Sequence, residues 1–172
     1  MSLLRIRHYP EEVLRRKAEP VDTVDEEIRI LARDMAQTMY DAPGVGLAAP
    51  QVGVSRRLVV IDCSANDEPP ELITAVNPRI IEASGERAEE EGCLSVPEFY
   101  APVSRHTWLK VRYLDLDGQE VEREVEDLLA VAFQHEIDHL DGVLFIDHLS
   151  SLKKSLFRKK YKKIMEQHQE AP

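Results

Sequence analysis

Gln134-His135-Glu136-Ile137-Asp138-His139-Leu140-Asp141-Gly142 decides how the rest of this chain is read, because it contains His-Glu-x-x-His. On an α-helix, residues four apart share a face, so His135 and His139 can grip one metal ion. Glu136 then stands where it can handle the protons of an attacking water. Leu128, Val131, Ala132, His135 and His139 recur on one side of the same segment, so the ligands should face the interior. Asp127 is placed to cap that helix and Gly142 to end it. Hydrolysis is the chemistry this pattern points to.

Around this helix the chain reads as many short elements. Pro10 to Lys17 suits a short helix, with Glu11 and Glu12 favouring its N-terminus. Thr23-Val24-Asp25-Glu26 has the form of a capping box, followed by Ile28, Leu31, Met35 and Met39 at helical spacing. Arg57 to Asp62 and Leu72 to Ile81 read as strands, the second interrupted near Asn77-Pro78, with residues 63–71 an exposed loop between them. Trp108 to Leu114 and Glu120 to Glu126 alternate about an Asp117-Gly118 turn, and a last helix is expected from about Ser150 to Gln167. The fold expected is α+β: one domain of short mixed or antiparallel strands around the His-Glu-x-x-His helix, with N-terminal helices and a C-terminal helix. Residues 1–149 would form the catalytic domain, and 150–172 a basic helix belonging to it.

Composition narrows the function classes. The chain has 172 residues, 43% hydrophobic and 31% charged, enough for one well-cored domain. No apolar run approaches the ~18–20 residues that cross a bilayer, and the first residues lack a signal-peptide pattern, so a cytoplasmic location and no membrane partner are expected. Two cysteines, Cys63 and Cys93, argue against a disulfide scaffold. A net charge of −10 speaks against DNA as a partner. The charge is uneven: residues 152–172 hold seven Lys/Arg and two Glu, a net of +5 against −15 for the remainder. That segment, with Leu149, Leu152, Leu156, Tyr161 and Ile164 or Met165 as its apolar stripe, is suited to touch a polyanion.

A catalytic site needs a third protein ligand and an open position. Downstream, residue 145 is Phe where one known extension has a third His, and Glu166 follows a run of lysines and looks solvated. Upstream, Cys93 lies in Glu91-Gly92-Cys93-Leu94-Ser95, and a thiolate with two imidazoles suits a soft or borderline divalent metal. Cys63, at the end of an apolar strand, reads instead as a small buried hydrophobe.

Gly44-Val45-Gly46-Leu47-Ala48-Ala49 satisfies G-x-G-x-x-A, but a dinucleotide site fails on context. A helix precedes it, Pro50 interrupts it, and too few residues separate it from the next strand for a phosphate-binding helix. It reads better as an extended segment that a peptide-like substrate can approach, with the Gln51 amide available to an oxyanion.

Three separated segments together resemble the peptide deformylase family. Its signatures are a Gly-φ-Gly-φ-Ala-Ala-x-Gln stretch (φ apolar), Glu-Gly-Cys-Leu-Ser, and Gln-His-Glu-x-Asp-His-Leu-x-Gly. They stand here complete and in order as Gly44–Gln51, Glu91–Ser95 and Gln134–Gly142. The resemblance implies removal of the formyl group from formylmethionine at the N-terminus of nascent polypeptides, with release of formate. It implies Cys93, His135 and His139 as metal ligands, Glu136 as general base, and Gln51 with the Leu94 N–H at the oxyanion. It implies one divalent metal, Fe²⁺ foremost, with Zn²⁺, Ni²⁺ or Co²⁺ as alternatives. Val45, Leu128, Val131 and the His135 ring are candidates for the methionine pocket, and Gly46 for a strand-like partner of the substrate. Glu89 stands where some members have an apolar residue, which bears on the pocket's rim.

Arg105 is a candidate partner for Glu91 or Asp138, behind the metal. His8, His106, His148 and His168 lack spaced partners. The basic C-terminal helix is expected to dock on ribosomal RNA. The competing reading is a His-Glu-x-x-His metallopeptidase, which Phe145 and the cysteine ligand disfavour; a non-catalytic metal-stabilised module is the third.

Overall fold

The computed structural model describes residues 2–170. Its central sheet has five antiparallel strands in the order β1 (Gly46–Ala48), β2 (Leu58–Ile61), β3 (Ile73–Ser84), β6 (Trp108–Leu114) and β7 (Glu120–Glu126). A separate hairpin pairs β4 (Arg87–Cys93) with β5 (Val96–Arg105). Three α-helices complete the α+β domain: α1 (Glu26–Asp41), α2 (Asp127–Leu140) and α3 (Ser151–Glu170). Among the described residues no helix is long and apolar enough to cross a membrane.

The sheet is sandwiched between α1 and α2, which explains why β2 is apolar on both faces. Val59 and Ile61 pack with Phe133, Ile137 and Leu140 of α2, whereas Leu58 and Val60 pack with Ile28, Met35 and Met39 of α1. All four β2 side chains are fully buried. Each stabilises the fold by roughly 1.5–3 kcal/mol relative to exposure. A third cluster, including Leu14, Val96, Val103, Phe145, Phe157 and Tyr161, joins the β4–β5 hairpin to α3.

Several boundaries differ from the sequence reading. The Pro10–Lys17 helix is a single 3-10 turn, Glu12–Arg15. The α1 cap is Asp25, whose carboxylate accepts from the Ile28 N–H, and not Thr23. Asp127 does not cap α2; it is the first helical residue, with φ +54°, and its carboxylate is drawn to Arg87 instead. β3 runs on to Ser84, with its irregularity at the expected place: Asn77 has φ +51°, and its side chain bonds the Val21 backbone in both directions. The β4–β5 hairpin has no counterpart in the sequence reading. On α3 the buried stripe is Phe157, Tyr161 and Ile164, while Leu152 and Leu156 are exposed.

Candidate metal centre

α2 crosses the sheet with His139 and Glu136 buried and His135 half-buried, so its polar residues face into the molecule. That is costly unless each is satisfied by a partner or a ligand. Cys93 meets them from the end of β4, where the hairpin turns back toward Val96. Cys93 Sγ lies 3.3 Å from His139 Nε2, and the two Nε2 atoms are 3.2 Å apart. Among the described residues these three form the one His/Cys/Asp/Glu cluster whose ligand atoms all lie within 4.8 Å of one another.

The tautomer of His135 follows from its far side. Its Nδ1 is 2.9 Å from Glu91 Oε1, and an ionised carboxylate only accepts, so Nδ1 carries a proton and, in the neutral ring a metal would bind, the lone pair is on Nε2. Glu91 is ionised: burial on its own would raise it, but hydrogen bonds from His135 and Arg105 overcome this and bring it to about 2. Arg105, itself buried, grips Glu91 through Nε (2.8 Å) and Nη2 (3.0 Å) and reaches Asp138 with Nη1 at 2.7 Å. Both partners named for Arg105 from the sequence are thus engaged at once. Asp138 also lies 3.0 Å from His148 Nε2.

Gln51 is 1% exposed, in the 3-10 turn Ala49–Val52 that comes after β1. Its Oε1 accepts from the Ala48 N–H at 2.9 Å, which fixes the amide's orientation. Nε2 therefore points at Ser95 Oγ (3.1 Å) and Cys93 Sγ (3.6 Å). The Ser95 N–H also reaches the sulfur, at 3.4 Å. No hydrogen bond from the Leu94 N–H is seen among the described residues.

Glu136 lines the same cleft with Oε1 buried and without a hydrogen-bond partner. Burial raises its carboxyl to about 7, with the charge of His135 opposing and that of Glu91 adding. At His135 the order is reversed: burial lowers it, but Cys93, Glu136 and Glu91 outweigh that and raise it. His139 goes the other way, held well below its usual value by burial and by the neighbouring charge of His135. Three converging lone-pair donors, one a thiol, are the donor set of a soft or borderline divalent ion, so these residues fit a metal.

The cleft has a volume of about 680 Å³. Val45, Gly46, Leu128 and Val131 all line it, with Gly44 and Leu94. Leu128 is 52% exposed and Val45 47%, so neither belongs to the core. Glu89 stands at the rim, 2.9 Å from Arg87. The sequence reading missed Glu91 as the partner of His135 and Ser95 as the partner of Gln51. Their positions within Glu91-Gly92-Cys93-Leu94-Ser95, two residues either side of the cysteine, were the available signal.

Residues 3–155 match the family model described as polypeptide deformylase. The chain belongs to that family. It is 50% identical over 164 residues to a peptide deformylase of Desulfotalea psychrophila, covering 95% of this chain and 97% of the relative. A peptide deformylase of Nitrosococcus oceani is 51% identical over 163 residues, covering 95% and 96%. The crystal structure of a peptide deformylase from Legionella pneumophila superposes with a TM-score of 0.93 at 47% identity, over 99% of this chain and all (100%) of that one. The peptide deformylase of Ehrlichia chaffeensis in complex with actinonin gives 0.89 at 38% identity, over 95% and 98%. The chain is accordingly an enzyme of protein biosynthesis that removes the N-formyl group from nascent polypeptides. The family is metal-dependent, and the Cys-His-His cluster agrees with that.

Proposed function

We propose that Cys93, His135 and His139 hold one divalent metal ion, Fe²⁺ foremost, with Zn²⁺, Ni²⁺ or Co²⁺ able to take its place, and that Glu136 is the general base. The observation that carries this is Glu136 Oε1, buried and unpartnered in the cleft beside the three donors. When bound, such an ion supplies Lewis-acid charge that acidifies water and polarises the formyl oxygen. Glu136 takes the proton of the attacking water and returns it to the departing amine, which suits a carboxyl raised to about 7 by burial. The Gln51 amide and the Leu94 N–H donate to the formyl oxygen as it gains negative charge. Val45, Leu128, Val131 and the His135 ring receive the methionine side chain, and the Gly46 backbone pairs with the peptide.

The test is formate release from formyl-Met peptides under reducing, anaerobic conditions, since a ferrous thiolate site is prone to oxidation. Glu136→Gln should lower kcat by about 10²–10⁴-fold with metal stoichiometry retained. Turnover that survives the substitution with metal bound rules Glu136 out as the base. Internal cleavage of unformylated peptides would favour the metallopeptidase reading.

Residues 1–149 and the segment 150–172 act as one catalytic domain in this reading, located in the cytoplasm. The exposed Lys153, Arg158, Lys159, Lys160, Lys162 and Lys163 of α3 serve as a contact for ribosomal RNA. Ribosome co-sedimentation that is unchanged by Glu at Lys159, Lys162 and Lys163 would remove this partner.

A further inference from the structure

His148, without a spaced partner in the sequence, finds one in the fold. It ends the 3-10 turn Phe145–His148, and its Nε2 lies 3.0 Å from Asp138 Oδ2, in the last turn of α2. A carboxylate oxygen facing a guanidinium only accepts, so Nε2 donates. The same oxygen also accepts from Arg105 Nη1, at 2.7 Å. Arg105 continues inward to Glu91, and Glu91 to His135 Nδ1. An imidazole at the surface is thus joined to a metal donor through three charged side chains. Exposure falls inward, from 39% at His148 and 27% at Asp138 to 8% at Glu91 and 6% at Arg105. Water can therefore compete only at the outer end, and there His148 holds the carboxylate against Arg105.

The turn that carries His148 is itself anchored. Arg15 clasps Asp147 from the N-terminal segment, and the buried Phe145 ring stacks on His135 with centroids 6.2 Å apart. The imidazole is therefore presented to Asp138 from a fixed base. Beside it opens a cavity of about 250 Å³, lined among others by Arg105, Asp138, His106 and His148. That cavity shares no lining residue with the substrate cleft. A change at the His148 ring reaches the metal donors through Asp138, without touching the surface that receives the peptide.

We propose that His148 is a positioning residue of the metal centre: by holding Asp138 on Arg105 it keeps the Glu91 carboxylate aimed at His135, and so tightens metal binding from outside the substrate cleft. The inference rests on the reading of Cys93, His135 and His139 as metal ligands. Loss of a ligand's direct hydrogen-bond partner costs about 10–100-fold in metal affinity. His148 stands further out, so its loss is expected to cost roughly three- to tenfold. Asp138 is the link, so removing it should make His148 dispensable.

The experiment measures Co²⁺ affinity of the full chain by chelator competition, well below the melting temperature of each metal-free variant, so that unfolding does not enter. His148→Ala should bind Co²⁺ about three- to tenfold more weakly than the parent. His148→Gln, whose amide N–H can take the place of the imidazole Nε2–H, should recover most of that loss. His106→Ala alters the same cavity, but the His106 ring bonds Gly85 O and not Asp138, so affinity should stay parental. In an Asp138→Asn background, His148→Ala should change affinity by less than about twofold. Parental affinity in His148→Ala, a loss that Gln does not recover, or losses that simply add to those of Asp138→Asn overturn the proposal. A Co²⁺-loaded parent without a thiolate charge-transfer band that Cys93→Ser removes would instead overturn the ligand reading.

Discussion

Gly46 faces Glu136 so closely that a Cβ built on the glycine would stand 2.5 Å from Oε2. The first strand of the sheet and the central helix therefore meet at a point where only hydrogen fits. Strand edge and carboxylate are held in mutual register by that contact.

Gly46→Ala should displace the carboxylate and not the fold, since Gly46 does not have the positive φ that makes some glycines irreplaceable. A carboxylate moved by about 1 Å is expected to lose on the order of 10²-fold in kcat/KM. Formate release with a parallel thermal melt checks this. Near-parental activity at unchanged Tm would mean that Glu136 has freedom the packing does not suggest.

Glu91 is the next lever, because it sets which nitrogen of His135 carries the lone pair. Glu91→Gln keeps an acceptor but removes the charge that Arg105 and His135 share. Metal affinity should fall by about 10–100-fold, the usual cost of losing such a partner. Chelator competition, read by the absorption of a Co²⁺-substituted site, measures it. Parental affinity in this variant would sink the tautomer argument.

The metal helix was legible because its period and its chemistry coincide: His135, Glu136 and His139 fall on a helical face that is otherwise apolar. β4 was illegible for the opposite reason. Arg87-Ala88-Glu89-Glu90-Glu91 shows neither apolar alternation nor β-branched residues. Its register comes from the backbone ladder with β5 and from the buried Arg105–Glu91 pair, whose partners are 14 residues apart. The start of α2 was misread because Asp127 looks like a cap locally, whereas Arg87, distant in sequence, claims its carboxylate. Tertiary partners, not local propensity, decided each of these.

Acid should weaken one clasp in particular. Arg15, in the N-terminal 3-10 turn, binds Asp147, in the turn Phe145–His148 that leads to α3. Burial alone would raise the Asp147 carboxyl; the Arg15 guanidinium and the Leu144 N–H outweigh it and hold the group below the ordinary carboxylate range. A depressed carboxylate stabilises the fold above its unfolded pKa, and that contribution is lost as pH falls through the folded one. Asp147→Asn should therefore be less stable than the parent at pH 7, with the gap closing below about pH 4. Denaturant midpoints at pH 7, 5 and 3.5 test it; a gap independent of pH would assign the effect to packing.

Side-chain spacing offered Leu152, Leu156, Tyr161 and Ile164 or Met165 as the inner face of α3; Tyr161 and Ile164 are buried, but Leu152 and Leu156 are exposed and the helix turns Phe157 inward instead. Phe157 is 3% exposed, with its ring 4.6 Å from that of Phe99 and 5.7 Å from that of Tyr9. Phe157→Ala should cost about 3–5 kcal/mol, the range for emptying a buried aromatic site. Leu156→Ala, at a position 57% exposed, should stay within about 0.5 kcal/mol. The larger loss should also reach the metal loop, because Tyr9 donates its N–H to Ser95 O at 2.8 Å and Ser95 supports both Gln51 and Cys93. Chemical denaturation of the two variants, with formate release assayed well below the Phe157→Ala midpoint, separates these effects. Equal stability losses would put the inner face of α3 at Leu156 after all. Loosened packing with unchanged kcat/KM would leave α3 a support of the fold without influence on the metal loop.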